Sequence, residues 1–405
     1  MTDEATGETT RAVGAVARHV DLFDSRVHIA PWLLDDLGRL VREWAPAHTL
    51  AVITDEGVAP FHAAHAVGSL RHFAGAHRII YRAIPAGEAY KTRETWGALT
   101  DWMLEERCGR DTTIVALGGG VVGDVAGFVA ATFMRGIPFV QVPTTLLAMV
   151  DASVGGKVGV DTAAGKNLVG AFHRPATVVI DPAVLQTLPL AHLRAGMAEV
   201  LKHGMIADAA YLAEAVALGP ALLRAAPDAA NDESASDAPR LEWNGAPLAA
   251  LVARSVEIKA SVVTRDEREG GIRRILNFGH TIGHAVEVAS DFRLLHGEAV
   301  AVGMVLEAAL AERLGIAEPG TEALVRDSLG AVGLPTSLPA GFSPERLVEL
   351  MRLDKKGRAG ELVFALPLRP GCMAGEDSGF GITVDEGAVV AVLDDFRRDS
   401  KAGEP

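Results

Sequence analysis

Thr112-Thr-Ile-Val-Ala-Leu117 runs directly into Gly118-Gly-Gly-Val-Val-Gly123-Asp124, and that into a helical stretch beginning Val125-Ala-Gly-Phe128. A β-branched apolar run with no polar alternation reads as a strand buried on both faces, as in a parallel sheet covered by helices. Glycines at a strand-to-helix turn let backbone N–H groups approach a pyrophosphate, and the N-terminus of the helix that follows favours its charge. The spacing is not the usual dinucleotide fingerprint, so by itself it also fits a tight turn packed on a sheet. On either side, Thr49–Asp55, Arg78–Arg82, Phe139–Val142 and Thr177–Ile180 read as strands. Lys91–Arg107 reads as a helix with Trp96, Leu99, Trp102, Met103 and Leu104 on its apolar face.

Strands alternating with helices predict an α/β, Rossmann-like, mostly parallel sheet over residues 19–188. After Leu188-Pro189 the pattern turns helical, at 190–225, 247–264, 274–290, 296–315, 319–332 and 344–353, with one strand signal at Glu361–Leu366. Residues 189–395 therefore read as a second, α-helical domain. The Asp-, Ser-, Pro- and Asn-rich stretch 226–247 reads as a solvated loop, and 1–18 and 396–405 as flexible tails.

The 405 residues are 49% hydrophobic and 22% charged, which excludes global disorder. Lys and Arg total 38 against 52 Asp and Glu, a net charge of -14, which argues against nucleic acid as a partner. An anionic ligand must then be gathered by local cations or helix N-termini. Two cysteines, Cys108 and Cys372, exclude a disulfide framework and suit a reducing cytoplasm. The acidic N-terminus does not read as a secretory signal. The nearest approach to a membrane span, Ala299–Ala311, is too short and is broken by Glu307.

Two further groups of motifs carry chemistry. Pro143-Thr-Thr145, Asp151-Ala-Ser-Val-Gly-Gly-Lys157 and Gly165-Lys166-Asn167 place two lysines and an asparagine in what read as Gly-rich loops, suited to phosphate and hydroxyl groups. Asn277-Phe-Gly-His280-Thr-Ile-Gly-His284 puts two histidines four apart on one helical face, and His296-Gly-Glu298 follows. Three histidines within 17 residues favour a metal site, with His296, Glu199, Glu287 and Glu298 as candidate further ligands. Spacing alone leaves open which of them bind. Lys202, Lys259, Arg273, Arg274, Lys355 and Lys356 are scattered basic groups, and Glu199 with Lys202 has the spacing of an ordinary helical ion pair.

Gly118–Asp124, Arg135-Gly, Val142–Thr145, Asp151–Lys157, Gly165–Asn167, Ala198-Glu-Val-Leu-Lys202-His-Gly, Leu276–His284, His296–Glu298 and Asp354-Lys-Lys356 together resemble the 3-dehydroquinate synthases in order and spacing over about residues 20–370. The resemblance implies a carbon–oxygen lyase using NAD and a divalent metal, zinc as a rule and cobalt as an alternative. It would convert 3-deoxy-D-arabino-heptulosonate 7-phosphate to 3-dehydroquinate and phosphate in the shikimate pathway. Transient oxidation, phosphate elimination, return of the hydride, ring opening and aldol closure would leave no net redox change. Related sugar-phosphate cyclases, acting on sedoheptulose 7-phosphate or an aminated analogue, share the cofactor and metal motifs. A metal-dependent NAD alcohol dehydrogenase is the alternative from another class.

Carried over position by position, the resemblance assigns the metal to Glu199, His280 and His296. NAD would meet Asp55, Glu88, Lys91, Gly119, Gly120, Val121, Asp124, Thr144, Thr145, Lys157, Lys166 and Thr187. The substrate phosphate would meet Lys157, Asn167, Asn277, His284 and Lys356, with Arg135 lent by the second subunit of a homodimer. The carboxylate would meet Lys259 and Arg273, and Asp151 and Lys202 would address hydroxyls.

Overall fold

The structure, a computed structural model, describes residues 17–163, 165–226, 246–339, 341–354 and 361–402. The expected loop at 226–247 lies almost wholly outside these residues, as do Lys355, Lys356 and most of the N-terminal tail.

The first half holds β1 (Arg18–Leu22), β2 (Ser25–Ile29), α1 (Leu37–Trp44), β3 (Thr49–Asp55), α2 (Ala64–Phe73), β4 (Arg78–Ile84), α3 (Arg93–Glu105), β5 (Thr112–Gly118), α4 (Gly120–Thr132), β6 (Phe139–Pro143), β7 (Lys157–Thr162), β8 (Gly165–Phe172) and β9 (Thr177–Ile180). Seven of these strands form one sheet in the order β1-β2-β9-β6-β5-β3-β4. Only β1 and β2 are antiparallel; every other pair is parallel. The sheet faces follow the two-residue period: Ile53 and Ile114 pack under α3 and α4 with Leu99, Trp102, Val125 and Val129. Val52, Val115 and Val140 face the other way, into a core shared with Leu193, Met197, Val252, Val256 and Met304 of the second half.

That half is α5 (Leu190–Ala207), α6 (Ala209–Arg224), α7 (Ala246–Arg265), α8 (His280–Ala289), α9 (His296–Arg313), α10 (Thr321–Gly330) and α11 (Pro344–Asp354), followed by β10 (Leu362–Phe364), β11 (Pro367–Arg369), β12 (Cys372–Met373), β13 (Ile382–Val384) and α12 (Glu386–Ala402). Among the described residues no helix is long and apolar enough to cross a membrane.

Three expectations need correction. Lys157, Lys166 and Asn167 lie not on loops but on the antiparallel β7–β8 hairpin. Its glycines hid the strand pattern, yet they make the pairing possible: a Cβ on Gly170 would lie 2.3 Å from the Val158 carbonyl oxygen. The helix expected over 274–290 begins only at His280, because Ile272–Asn277 forms a 3-10 turn. The C-terminal stretch expected to be a tail from 396 continues α12 to Ala402, supported by the Arg397–Asp394 and Arg398–Asp395 pairs.

Candidate active site

Close helix packing gathers the histidines. At Gly303 on α9 an added Cβ would lie 1.9 Å from the Gly279 carbonyl oxygen, and at Gly297 it would lie 2.0 Å from that of Ala195 on α5. These glycines let α9 press against the start of α8 on one side and against α5 on the other. His280 is thus the first residue of α8, His296 the first of α9, and both face Glu199 of α5. One ligand atom from each of Glu199, His280 and His296 lies within 4.8 Å of the others. His284, one turn along α8, has its ring 5.2 Å from that of His280 and 5.8 Å from that of His296.

This donor set fits a divalent cation. Glu199 is wholly buried and neither of its carboxylate oxygens has a hydrogen-bond partner, although the Lys202 ammonium lies against one of them off the hydrogen-bonding direction. The other oxygen faces His280 Nε2 at 3.8 Å. His280 Nδ1 is 3.2 Å from the Phe278 carbonyl, which can only accept, so the proton sits on Nδ1 and Nε2 is free to ligate. Burial first, and then the Lys202 charge, hold the His280 imidazole well below its usual pKa, in the neutral form a metal requires. A second cluster, Asp151, Glu199 and His203, also comes within 4.8 Å. Its Asp151 is neutralised by Lys259, and His203 Nδ1 is 2.6 Å from Ser255 Oγ, so the first set is the better cation site. Of the other candidate ligands, Glu298 caps α9 by accepting from Leu295 N at 2.8 Å, and Glu287 lies 3.7 Å from His296 Nδ1.

Basic groups converge beside the triad. Lys259, from α7, donates to the Asp151 carbonyl and carboxylate at 2.6 and 2.5 Å. Burial pushes the Asp151 carboxyl up, but the charges of Lys259 and Lys202 outweigh it and hold the group low. Arg273 is buried, donating to the backbone carbonyls of Glu267 at 2.5 Å and of Gly155 at 3.5 Å. Lys157 pairs with Glu269, whose other oxygen accepts from Asn277 Nδ2 at 2.6 Å. Lys166 reaches Glu287 at 3.0 Å and Glu88 at 3.3 Å over the Phe292 ring, so it sits on the triad side of the hairpin. Asn167 accepts from Lys91 at 2.6 Å.

Lys91 is also paired with Asp124 in the first turns of α4, at 2.5 Å. There, at the carboxyl ends of β5 and β6, a shallow cleft is lined by Gly119, Gly120, Asp124, Pro143 and Ser153. Val121 stands partly buried in the same turn of α4, and the Thr144 hydroxyl is buried without a partner. Thr145 Oγ1 caps Ala148 N at 3.1 Å, Asp55 Oδ1 accepts from Gly57 and Val58, and Thr187 Oγ1 is 2.8 Å from a His62 ring nitrogen. Crevices at such strand ends are where open α/β sheets take nucleotides. Arg135 stands apart: exposed, in left-handed backbone conformation, and without an ion-pair partner among the described residues.

Family models describe the same two halves: 3-dehydroquinate synthase N-terminal matches residues 81–195 and 3-dehydroquinate synthase C-terminal matches 196–357. A 3-dehydroquinate synthase of Symbiobacterium thermophilum is 46% identical over 85% of this chain and 91% of its own. The chain belongs to the 3-dehydroquinate synthase family. Another such synthase, from Desulforamulus reducens, is 43% identical over 84% of this chain and 90% of its own. Among solved structures, 2-epi-5-epi-valiolone synthase from Streptomyces hygroscopicus, with NAD+ and Zn2+ bound, superposes with a TM-score of 0.79 at 26% identity, covering 95% of this chain and 99% of that one. A 2-deoxy-scyllo-inosose synthase complexed with carbaglucose-6-phosphate, NAD+ and Co2+ gives 0.77 at 26%, with the same coverage.

Sequence reasoning passed over three acids. Glu269 and Glu267 lie in the charged run Arg265-Asp-Glu-Arg-Glu269, where nothing local separates a site residue from a solvated one. Glu307 did leave a signal, as the lone acid within an apolar run, but was read only as a break. It is wholly buried and accepts from Gly279 N at 2.7 Å and Ile282 N at 3.1 Å.

Proposed function

We propose that the protein converts 3-deoxy-D-arabino-heptulosonate 7-phosphate to 3-dehydroquinate and phosphate, as a carbon–oxygen lyase using NAD and a divalent metal. The observation that carries this reading is the cation triad sharing one wall with buried Lys259 and Arg273, in a chain of this family. A substrate bearing both a phosphate and a carboxylate needs two anion-binding groups, and an alcohol dehydrogenase needs neither.

NAD held at Gly119–Asp124 would supply reversible hydride acceptance, and a cation held by Glu199, His280 and His296, zinc in our reading, would supply Lewis acidity. The chain itself binds and orients. Arg273 and Lys259 take the carboxylate; Lys157, Asn167, Asn277, His284 and Lys356 take the phosphate; Asp151 and Lys202 fix hydroxyl groups next to the triad. Holding one flexible substrate through successive steps makes orientation the main contribution. Asp55, Glu88, Lys91, Thr144, Thr145, Lys166 and Thr187 orient the cofactor. The working form is a homodimer in which Arg135 completes the neighbouring subunit's phosphate site, and two free cysteines suit the cytoplasm. The test is phosphate release from the heptulosonate phosphate compared with sedoheptulose 7-phosphate, with absorbance of free NADH followed together. Turnover of the first alone, without NADH accumulation, is expected; preference for the second or net NADH would sink the reading.

A further inference from the structure

We propose that Glu307 and Glu298 are counter-charges that reconcile two helix N-termini with a bound cation, and so set the metal affinity of the Glu199–His280–His296 site. The proposal rests on the reading of that triad as a cation site.

His280 and His296 each occupy the first position of a helix, α8 and α9. A helix N-terminus carries about half a positive charge, in its free N–H groups. A dication held by these two histidines therefore faces two positive helix ends, with buried Lys202 and Arg273 adding to the repulsion. One acid answers each end. Glu307, wholly buried in the middle of α9, reaches across the Gly303 contact and accepts from the N–H groups of Gly279 and Ile282. Glu298, in the first turn of α9, accepts from Leu295 N at 2.8 Å.

Capping alone does not account for a carboxylate at position 307. Neutral Ser, Thr or Asn caps helices well, and Gln would fill the same space with an oxygen acceptor. A fully buried carboxylate is costly to desolvate, and one retained at the start of the helix that carries His280 points to the field it creates there. Glu287 beside His296, Asp151 beside Glu199, and the Glu199 ligand itself are the other acids facing the site. Glu307 acts through the helix end that carries His280, whose Gly279 and Ile282 N–H groups it accepts from.

The experiment measures zinc affinity of the full-length chain, freed of metal by chelation, by competition with a chromophoric chelator. Glu307→Gln, Glu298→Gln and the double variant are compared with the parent and with His296→Ala. NAD affinity and the thermal midpoint of the metal-free chain are measured beside it. Each single variant is expected to lose about tenfold in zinc affinity or more, and the double variant about a hundredfold, the range for groups that support metal ligands. NAD affinity is expected to hold, which a general loosening of the fold would not allow. Zinc affinity within twofold of the parent in the Gln variants, with His296→Ala defective, overturns the counter-charge role alone. Zinc binding unchanged in His296→Ala overturns the cation site and this role with it. Should Glu307→Gln not fold, Glu298→Gln, at a partly exposed position, decides.

Discussion

Arg273 spends two of its guanidinium nitrogens on the backbone of Glu267 and Gly155, and burial lowers its pKa from the ordinary value. The remaining donors are the natural partner of a carboxylate, since a forked guanidinium matches two oxygens. Arg273→Ala is expected to cost the carboxylate-bearing substrate about 2–5 kcal/mol in kcat/KM, the scale for removing one half of a buried charged pair. Sedoheptulose 7-phosphate, which lacks the carboxylate, serves as comparison in steady-state assays; equal losses on both would remove Arg273 as the anchor. For the triad, Glu199→Ala, His280→Ala and His296→Ala are each expected to yield folded chains without bound metal or activity. Metal analysis together with circular dichroism of the purified proteins checks this, and stoichiometric metal in any of them contradicts its assignment as a ligand.

At the scale of elements, the site exists because helices approach closer than ordinary side chains permit. The contact of Gly303 with the Gly279 carbonyl is between backbones, so neither partner can move aside by changing rotamer. Gly303→Ala is expected to force α9 from α8, destabilising the fold by about 1–3 kcal/mol or more and separating His280 from His296. Urea denaturation and zinc titration of this variant measure the two effects. A Gly330→Ala variant is the control, because nothing lies within 4 Å of a Cβ there and the residue ends helix α10. A Gly303→Ala chain with parental stability and zinc affinity would mean that the close approach is dispensable. The β7–β8 hairpin works on the same principle at Gly170, and it carries Lys166 to Glu287 and Asn167 to Lys91.

For the whole molecule, His28 ties stability to pH. It lies on β2 between the His19 and Trp44 rings, with its Nε2 buried and unpaired. Burial first, then the nearby His19 and Arg26 charges, lower its pKa to about 4 from 6.5. The unfolded chain then binds the extra proton between those values, so stability is complete above pH 6.5 and declines as pH falls toward 4. The loss is about 1–2 kcal/mol once partial solvent screening is allowed for. Thermal midpoints across pH 4–8 check it: His28→Leu is expected to flatten the slope in that window only, and an unchanged slope would assign the acid sensitivity elsewhere. The proposed homodimer has its own test. Arg135→Ala and Lys356→Ala subunits should each be nearly inactive, while mixed dimers regain activity in the one site that has both groups. Mixed dimers that form yet stay inactive would put Arg135 outside the partner's site.

The strands were legible because a sheet buried on both faces writes itself as apolar β-branched runs: Thr177–Ile180 is a strand over those very residues, and Thr112–Leu117 extends by one. The histidines, Glu199 and the lysines were likewise visible as residue types in motifs, which with the family resemblance pointed to the chemistry. What only the tertiary structure decided is pairing. Lys259 meets Asp151 across 108 residues of chain, and Lys166 meets Glu287 across 121. The hairpin went unseen because glycines carry no alternation, although they are what lets its strands touch. Glu307 showed in sequence as a charge out of place among apolar neighbours, and its partners, Gly279 and Ile282, lie 28 and 25 residues away. Local pattern records which face of an element must be buried; it holds no record of which buried groups then meet, because that follows from how separate elements pack.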